Sequence, residues 1–182
     1  MKIFETERLV IREVTADDAA FVLELLNTPK FIKYIADRGV RTLAQARAYI
    51  AERFVGSYRS NGFGLYLVEL KRGGASMGTP PSGRVSAFEP IGVCGFVRRD
   101  TLPGPDLGFA FLPEFERQGY GLESASAMME YGRSALGFDR VLAITSLDND
   151  ASGNLLEKLG FKFNRSQDLG DGPIKLFSFS FP

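Results

Sequence analysis

The chain of 182 residues has no histidine and one cysteine, Cys94. Those shortages remove whole classes of chemistry. An intramolecular disulfide is impossible, and a zinc cluster built on Cys and His cannot form. A histidine base is excluded, and with it the Ser-His-Asp triad. Carboxylate metal sites stay open in principle, but no acidic run has calcium-loop spacing, and no metal is expected. Cys94 itself sits in the run 91–96 and reads as a small buried apolar residue. Net charge is missing too, since 22 Lys plus Arg balance 22 Asp plus Glu. Without a net positive field, nucleic acid is not expected as a partner. No apolar run approaches membrane-spanning length, and MKIFETERLVIRE has no apolar h-region. No membrane partner and a cytoplasmic location are expected.

What is present is an ordinary globular composition, 45% hydrophobic and 24% charged, on a length that suits one domain, residues 1–182. The stretch 3–13 reads as a first strand. Thr15, as N-cap before Asp17 and Asp18, predicts a helix that Asn27–Thr28–Pro29 ends. A second helix is predicted from Thr42 through Phe54. Strands follow over 62–71, 91–100 and 106–113. The Gly-, Pro- and Ser-rich stretch 71–90 reads as a flexible hairpin insertion. A helix to about Ala135, a strand over 140–146, a short helix from Asn149 to Leu159 and two alternating strands around a GDGP turn complete the order. This is an α/β domain on a mixed sheet.

Residues 117–124, RQGYGLES, stand between a strand and a helix. Strand, glycine turn and helix together make an anion cradle of backbone N–H groups and helix dipole. A Walker loop needs Gly-Lys-Ser/Thr, and Leu122–Glu123 stands there instead. A dinucleotide fingerprint lacks its third small residue. The form Gln/Arg-x-x-Gly-x-Gly/Ala, a coenzyme A loop, is matched in part by Glu116, Arg117, Gln118, Gly119, Tyr120 and Gly121. Glu116 is the departure. The other reading is a plain helix-start turn.

That loop and the downstream NDASGNLLEKLGF (149–161) resemble the GNAT superfamily of N-acetyltransferases. TERLVIRE, GFGLY, IGVCGF and DLGFAFLPE extend the likeness toward the ribosomal-protein alanine and serine N-terminal acetyltransferases. It runs from Thr6 to about Phe163. The resemblance implies a mixed, mostly antiparallel sheet of about seven strands with four helices. Its two central parallel strands, here 106–112 and 140–145, would splay to admit acetyl-CoA, one carrying a bulge. Backbone groups of Phe109, Phe111 and Leu112 would then pair with the pantetheine arm and polarise the thioester carbonyl. For Phe109 and Phe111, core packing is the alternative or the complement. Backbone N–H groups of Arg117, Gln118, Gly119, Tyr120, Gly121 and Leu122 would take the pyrophosphate.

Asn149 matches the asparagine that contacts the CoA arm, or is an N-cap. In many GNAT enzymes a tyrosine in the final helix protonates the departing thiolate; Leu156 occupies that position. Ser152, one turn earlier, would face the CoA sulfur or bond a backbone carbonyl. Asp106 is the first candidate for general base and Glu13 the second; Asp106 also reads as a solvated turn residue. The implied activity is transfer of acetyl from acetyl-CoA to a primary amine, on a protein N-terminus or a small molecule. A non-catalytic CoA-binding module and a purely structural domain are the other readings, and monomer and homodimer are both open.

Overall fold

The computed structural model describes residues 1–72, 87–168, 170 and 172–182. Its frame is a sheet of β1 (Lys2–Glu5), β2 (Leu9–Arg12), β3 (Leu65–Lys71), β4 (Phe88–Val97), β5 (Asp106–Phe111), β6 (Arg140–Ser146), β7 (Lys162–Asp168) and β8 (Pro173–Ser180). Their order across the sheet is β1-β2-β3-β4-β5-β6-β8-β7. Neighbours are antiparallel except β5 and β6, which run parallel.

Side chains alternate along each strand and therefore feed two separate cores. On β5, Leu107, Phe109 and Phe111 face a cluster shared with α5 (Tyr120–Ser134) and α6 (Asp150–Lys158). Ala110 and Leu112 face the opposite cluster, under α1 (Ala19–Leu26) and α3 (Leu43–Tyr49). Leu9, Ile11, Val68, Ile91 and Phe96 are fully enclosed in the first core. Each such side chain contributes about 1.5–3 kcal/mol on leaving water.

Several expected elements take a different form. The single first strand is a hairpin: Thr6 N donates to Leu9 O at 2.9 Å, turning β1 back onto β2. The helix after Thr15 begins as a 3-10 turn, Ala16–Asp18. Pro29 ends α1 but also opens α2 (Pro29–Tyr34), with Thr28 as N-cap. Proline at the first helical position loses no hydrogen bond, so one residue both stops and starts a helix. The helix from Thr42 continues past Phe54 through a π-helical turn, Ile50–Val55, into α4 (Gly56–Asn61). Among the described residues there are thus eight strands, and five helical bodies when α3 and α4 count as one rod. Of the proposed insertion 71–90, Lys71 ends β3 and Phe88 opens β4, while 73–86 lie outside the described residues. Around the GDGP turn, residues 166–168 end β7 and Pro173 opens β8, while 169 and 171 lie outside the described residues.

Candidate active site

β5 and β6 carry one recorded pairing, Asp106 with Leu142. There Leu142 N donates to Pro105 O at 2.9 Å. Backbone groups alternate sides along a strand, so the odd-numbered residues of β5 turn their N–H and C=O toward β6. Phe109 and Phe111 therefore present backbone groups to the cleft that opens beyond Asp106. Leu112 does not, because its N–H donates to Ile91 O at 2.9 Å on the β4 side. The bulge expected beside the cleft is absent from β5, whose register with β4 is unbroken from Gly92–Phe111 to Val97–Asp106. An extra residue, Ile91, interrupts the β3–β4 register instead.

At the mouth of the cleft stands the glycine loop. Glu123 N is the first α5 amide to find a carbonyl, Gly119 O at 3.0 Å. The N–H groups of residues 117–122 have no acceptor among the described residues, a cradle at the positive end of a helix of 15 residues. Gly119 has φ +86°, the left-handed region that side chains resist. Gly121 serves a different need: a Cβ there would lie 3.0 Å from the Leu155 methyl on α6. The opening pair of glycines thus turns the chain and lets two helices approach. Arg117, at φ +60°, is exposed and makes no ion pair among the described residues.

Residues far away in sequence brace this loop. Arg8 Nε pairs with Glu123 Oε2 at 2.6 Å, and Arg8 Nη1 donates to Gln118 O at 3.0 Å. Its guanidinium lies 4.5 Å over the Tyr120 ring. Thr6 Oγ1 donates to Glu123 Oε1 at 2.5 Å. Partial burial pulls the Glu123 carboxyl up, yet the Thr6 and Arg8 bonds outweigh it and hold it below its ordinary value. Glu116, the departure from the loop pattern, pairs with Lys30 of α2. TERLVIRE carries a family likeness, but no local signal links Arg8 to a loop more than a hundred residues away.

Asp106 lies at the apex of the cleft, 1% exposed, which rules out the solvated-turn reading. Arg99 Nε donates to its two carboxylate oxygens at 3.0 and 3.2 Å. Burial nevertheless pushes the carboxyl up to about 6, against the pull of Arg99. Glu13 lies at the end of β2, three strands or about 14 Å from β5. There it lines a surface depression of about 530 Å³ with Val14, Thr15, Tyr58 and Arg59, remote from the cleft. Asn149 is the N-cap of α6, its Oδ1 accepting from Ser152 N at 3.2 Å. That leaves its amide Nδ2 without a partner among the described residues. Ser152 is half-buried, and its hydroxyl makes no hydrogen bond among them. Leu156 is 1% exposed inside the core. Thr145 was not foreseen: its hydroxyl is buried and unpartnered among the described residues. Continuing the Asp106–Leu142 register would place it level with Phe109.

A mixed sheet whose parallel pair parts beside an amide cradle is the class of architecture that coenzyme A-dependent acyltransferases were expected to show. The comparisons give the family. The model described as "Acetyltransferase (GNAT) domain" matches residues 8–162, and the chain belongs to this family of N-acetyltransferases. It is 29% identical over 161 residues to the "Uncharacterized N-acetyltransferase YoaA" of Bacillus subtilis (strain 168), covering 88% of this chain and 82% of that one. The fold is shared with an acetyltransferase from Agrobacterium tumefaciens str. C58, with TM-score 0.75, 18% identity, and 100% and 95% of the two chains covered. It is shared equally with RimL, a ribosomal L7/L12 alpha-N-protein acetyltransferase solved with coenzyme A, with TM-score 0.75, 13% identity and 99% and 98% covered. The residues present fit that cofactor: an extended amide arm matches the backbone groups facing the cleft, and a pyrophosphate matches the free N–H groups at 117–122. Among the described residues no cluster of three or more Cys, Asp or Glu could hold a metal, and no helix could cross a membrane.

Proposed function

We propose that the protein transfers acetyl from acetyl-CoA to a primary amine by direct attack on the thioester, at the β5–β6 cleft. The observation that carries this reading is the one-pair junction at Asp106–Leu142 with unspent backbone groups of Phe109 and Phe111 beyond it. Acetyl-CoA supplies the activated acyl group; the amine forms the C–N bond as the C–S bond breaks. Amides 117–122 hold the pyrophosphate, with Arg117 adding charge. Backbone N–H groups of Phe109 and Phe111 hold the arm and stabilise charge developing on the carbonyl oxygen. Asn149 uses Oδ1 as a helix cap and Nδ2 toward the arm.

Asp106 receives the amine proton through water. Asp106 stands three residues along β5 from Phe109, about 10 Å between Cα atoms, with its side chain on the opposite face. A carboxyl at about 6 is ionised at neutral pH yet basic enough to accept a proton. Ser152 donates a hydrogen bond to the departing sulfur, sufficient for a thiol whose pKa is roughly 8.5. Acceptors are protein N-termini or small amines, which reach the cleft past α2.

Burial of Leu156 favours one competing reading, a CoA-binding module without turnover, because α6 offers no tyrosine acid there. Thermal melting with acetyl-CoA and with NADH as control, followed by thiol release across an amine panel, separates the two. A stabilisation of a few degrees by acetyl-CoA with thiol release supports the transferase. Stabilisation with no release on any amine supports the module, and no stabilisation at millimolar acetyl-CoA removes both.

A further inference from the structure

Helix α2 is tied at both ends across the mouth of the cleft. At its start, Lys30 pairs with Glu116, the residue before the free-amide run 117–122. At its end, Lys33 pairs with Asp148 at 2.8 Å, and Tyr34 O accepts from Ser146 Oγ at 3.3 Å. Glu116 follows β5 and Ser146 closes β6, so the helix bridges the two strands where they part. Neither lysine faces a buried partner; Lys30 is 54% exposed on its side chain and Glu116 27%. Such a pair contributes little to stability and exchanges partners readily. A pyrophosphate on amides 117–122 would bring two negative charges beside Glu116, an acceptor geometry that repels its carboxylate and attracts the ammonium next to it.

We propose that Lys30 is a cofactor-positioning residue: on binding it moves from Glu116 to the pyrophosphate and draws α2 down as one wall of the acceptor groove. This rests on the cofactor reading of the loop. Glu116 holds the ammonium in place before binding and opposes the cofactor once it arrives. The two side chains therefore act on affinity with opposite sign and through each other. Cofactor binding then shapes α2 before the amine arrives.

Calorimetric titration of the full chain with coenzyme A tests this. Lys30→Met is expected to weaken binding about three- to tenfold, with Lys30→Arg restoring most of it. Glu116→Gln is expected to tighten binding, and to do so far less in the Lys30→Met background, since the freed ammonium is the source of the gain. Equal gains with and without Lys30 would mean simple repulsion and overturn the transfer. The Lys30→Met loss should persist with 3′-dephospho-CoA; its disappearance would assign Lys30 to the 3′-phosphate and overturn the pyrophosphate contact. Amide exchange over 31–35 should slow on binding in the wild type and not in Lys30→Met. Wild-type binding with an unaffected Lys30→Met variant sinks this inference alone, whereas no wild-type binding sinks the cofactor reading beneath it.

Discussion

At the scale of single residues, the proposed chemistry turns on two side chains in different surroundings. Asp106 is enclosed, and its ionisation costs free energy that Arg99 returns only in part. The sign follows from a carboxyl whose folded value, about 6, lies above its ordinary 3.8. Stability is fully present below 3.8 and is lost as pH rises through about 6, by roughly 3 kcal/mol in the limit. Asp106→Asn removes that cost, so its melting temperature at pH 7.5 should exceed the wild type's while thiol release falls about 10²–10⁴-fold. Wild-type kcat/KM should climb with pH through about 6; a profile flat from 5 to 7 would rule out Asp106 as the base. Ser152 is asked for less. Ser152→Ala should lower kcat about tenfold with KM unchanged, and an unaltered kcat would leave the hydroxyl without a role.

At the scale of elements, the loop before α5 is held by residues of β2 and the turn before it. Gly119→Ala meets two obstacles at once, the left-handed φ of +86° and Arg8 Nη2 at 3.1 Å from the added carbon. A loss of about 1–2 kcal/mol in urea unfolding is expected, together with weaker CoA binding. Gly104→Ala, where a Cβ meets nothing within 4 Å, should stay within about 0.5 kcal/mol. Glu123→Gln weakens the Arg8 and Thr6 bonds together and should cost about 1–2 kcal/mol at pH 7. The difference from wild type should shrink as acid protonates Glu123, because its folded pKa is depressed and its contribution is lost as pH falls.

At the scale of the molecule, the decisive feature is a sheet that is paired up to Asp106 and parts beyond it. Saturating acetyl-CoA should slow amide exchange at Phe109 and Phe111. Leu112, already bonded to Ile91, should change little. Equal protection of all three would mean general stiffening in place of arm binding. The same scale explains which elements could be read in advance. The strand 140–146 is β6 to the residue, because an apolar run between polar flanks is a local signal. The hairpin turn at Thr6–Leu9 escaped because Glu-Thr-Glu-Arg carries no glycine, proline, asparagine or aspartate. α2 escaped because Pro29 was read as a stop.

Local chemistry in the sequence determined the glycine turn before a helix and the absence of any histidine mechanism, whereas the candidates Asp106, Ser152 and Asn149 came from the likeness to the family. The first two depend on residue type and near spacing, which the chain displays directly. Only the tertiary structure decided that Asp106 is buried beside Arg99, that Leu112 is committed to Ile91, and that Arg8 and Lys30 reach the loop. Burial and partner choice are set by elements distant in sequence, and no period or spacing within one segment encodes them.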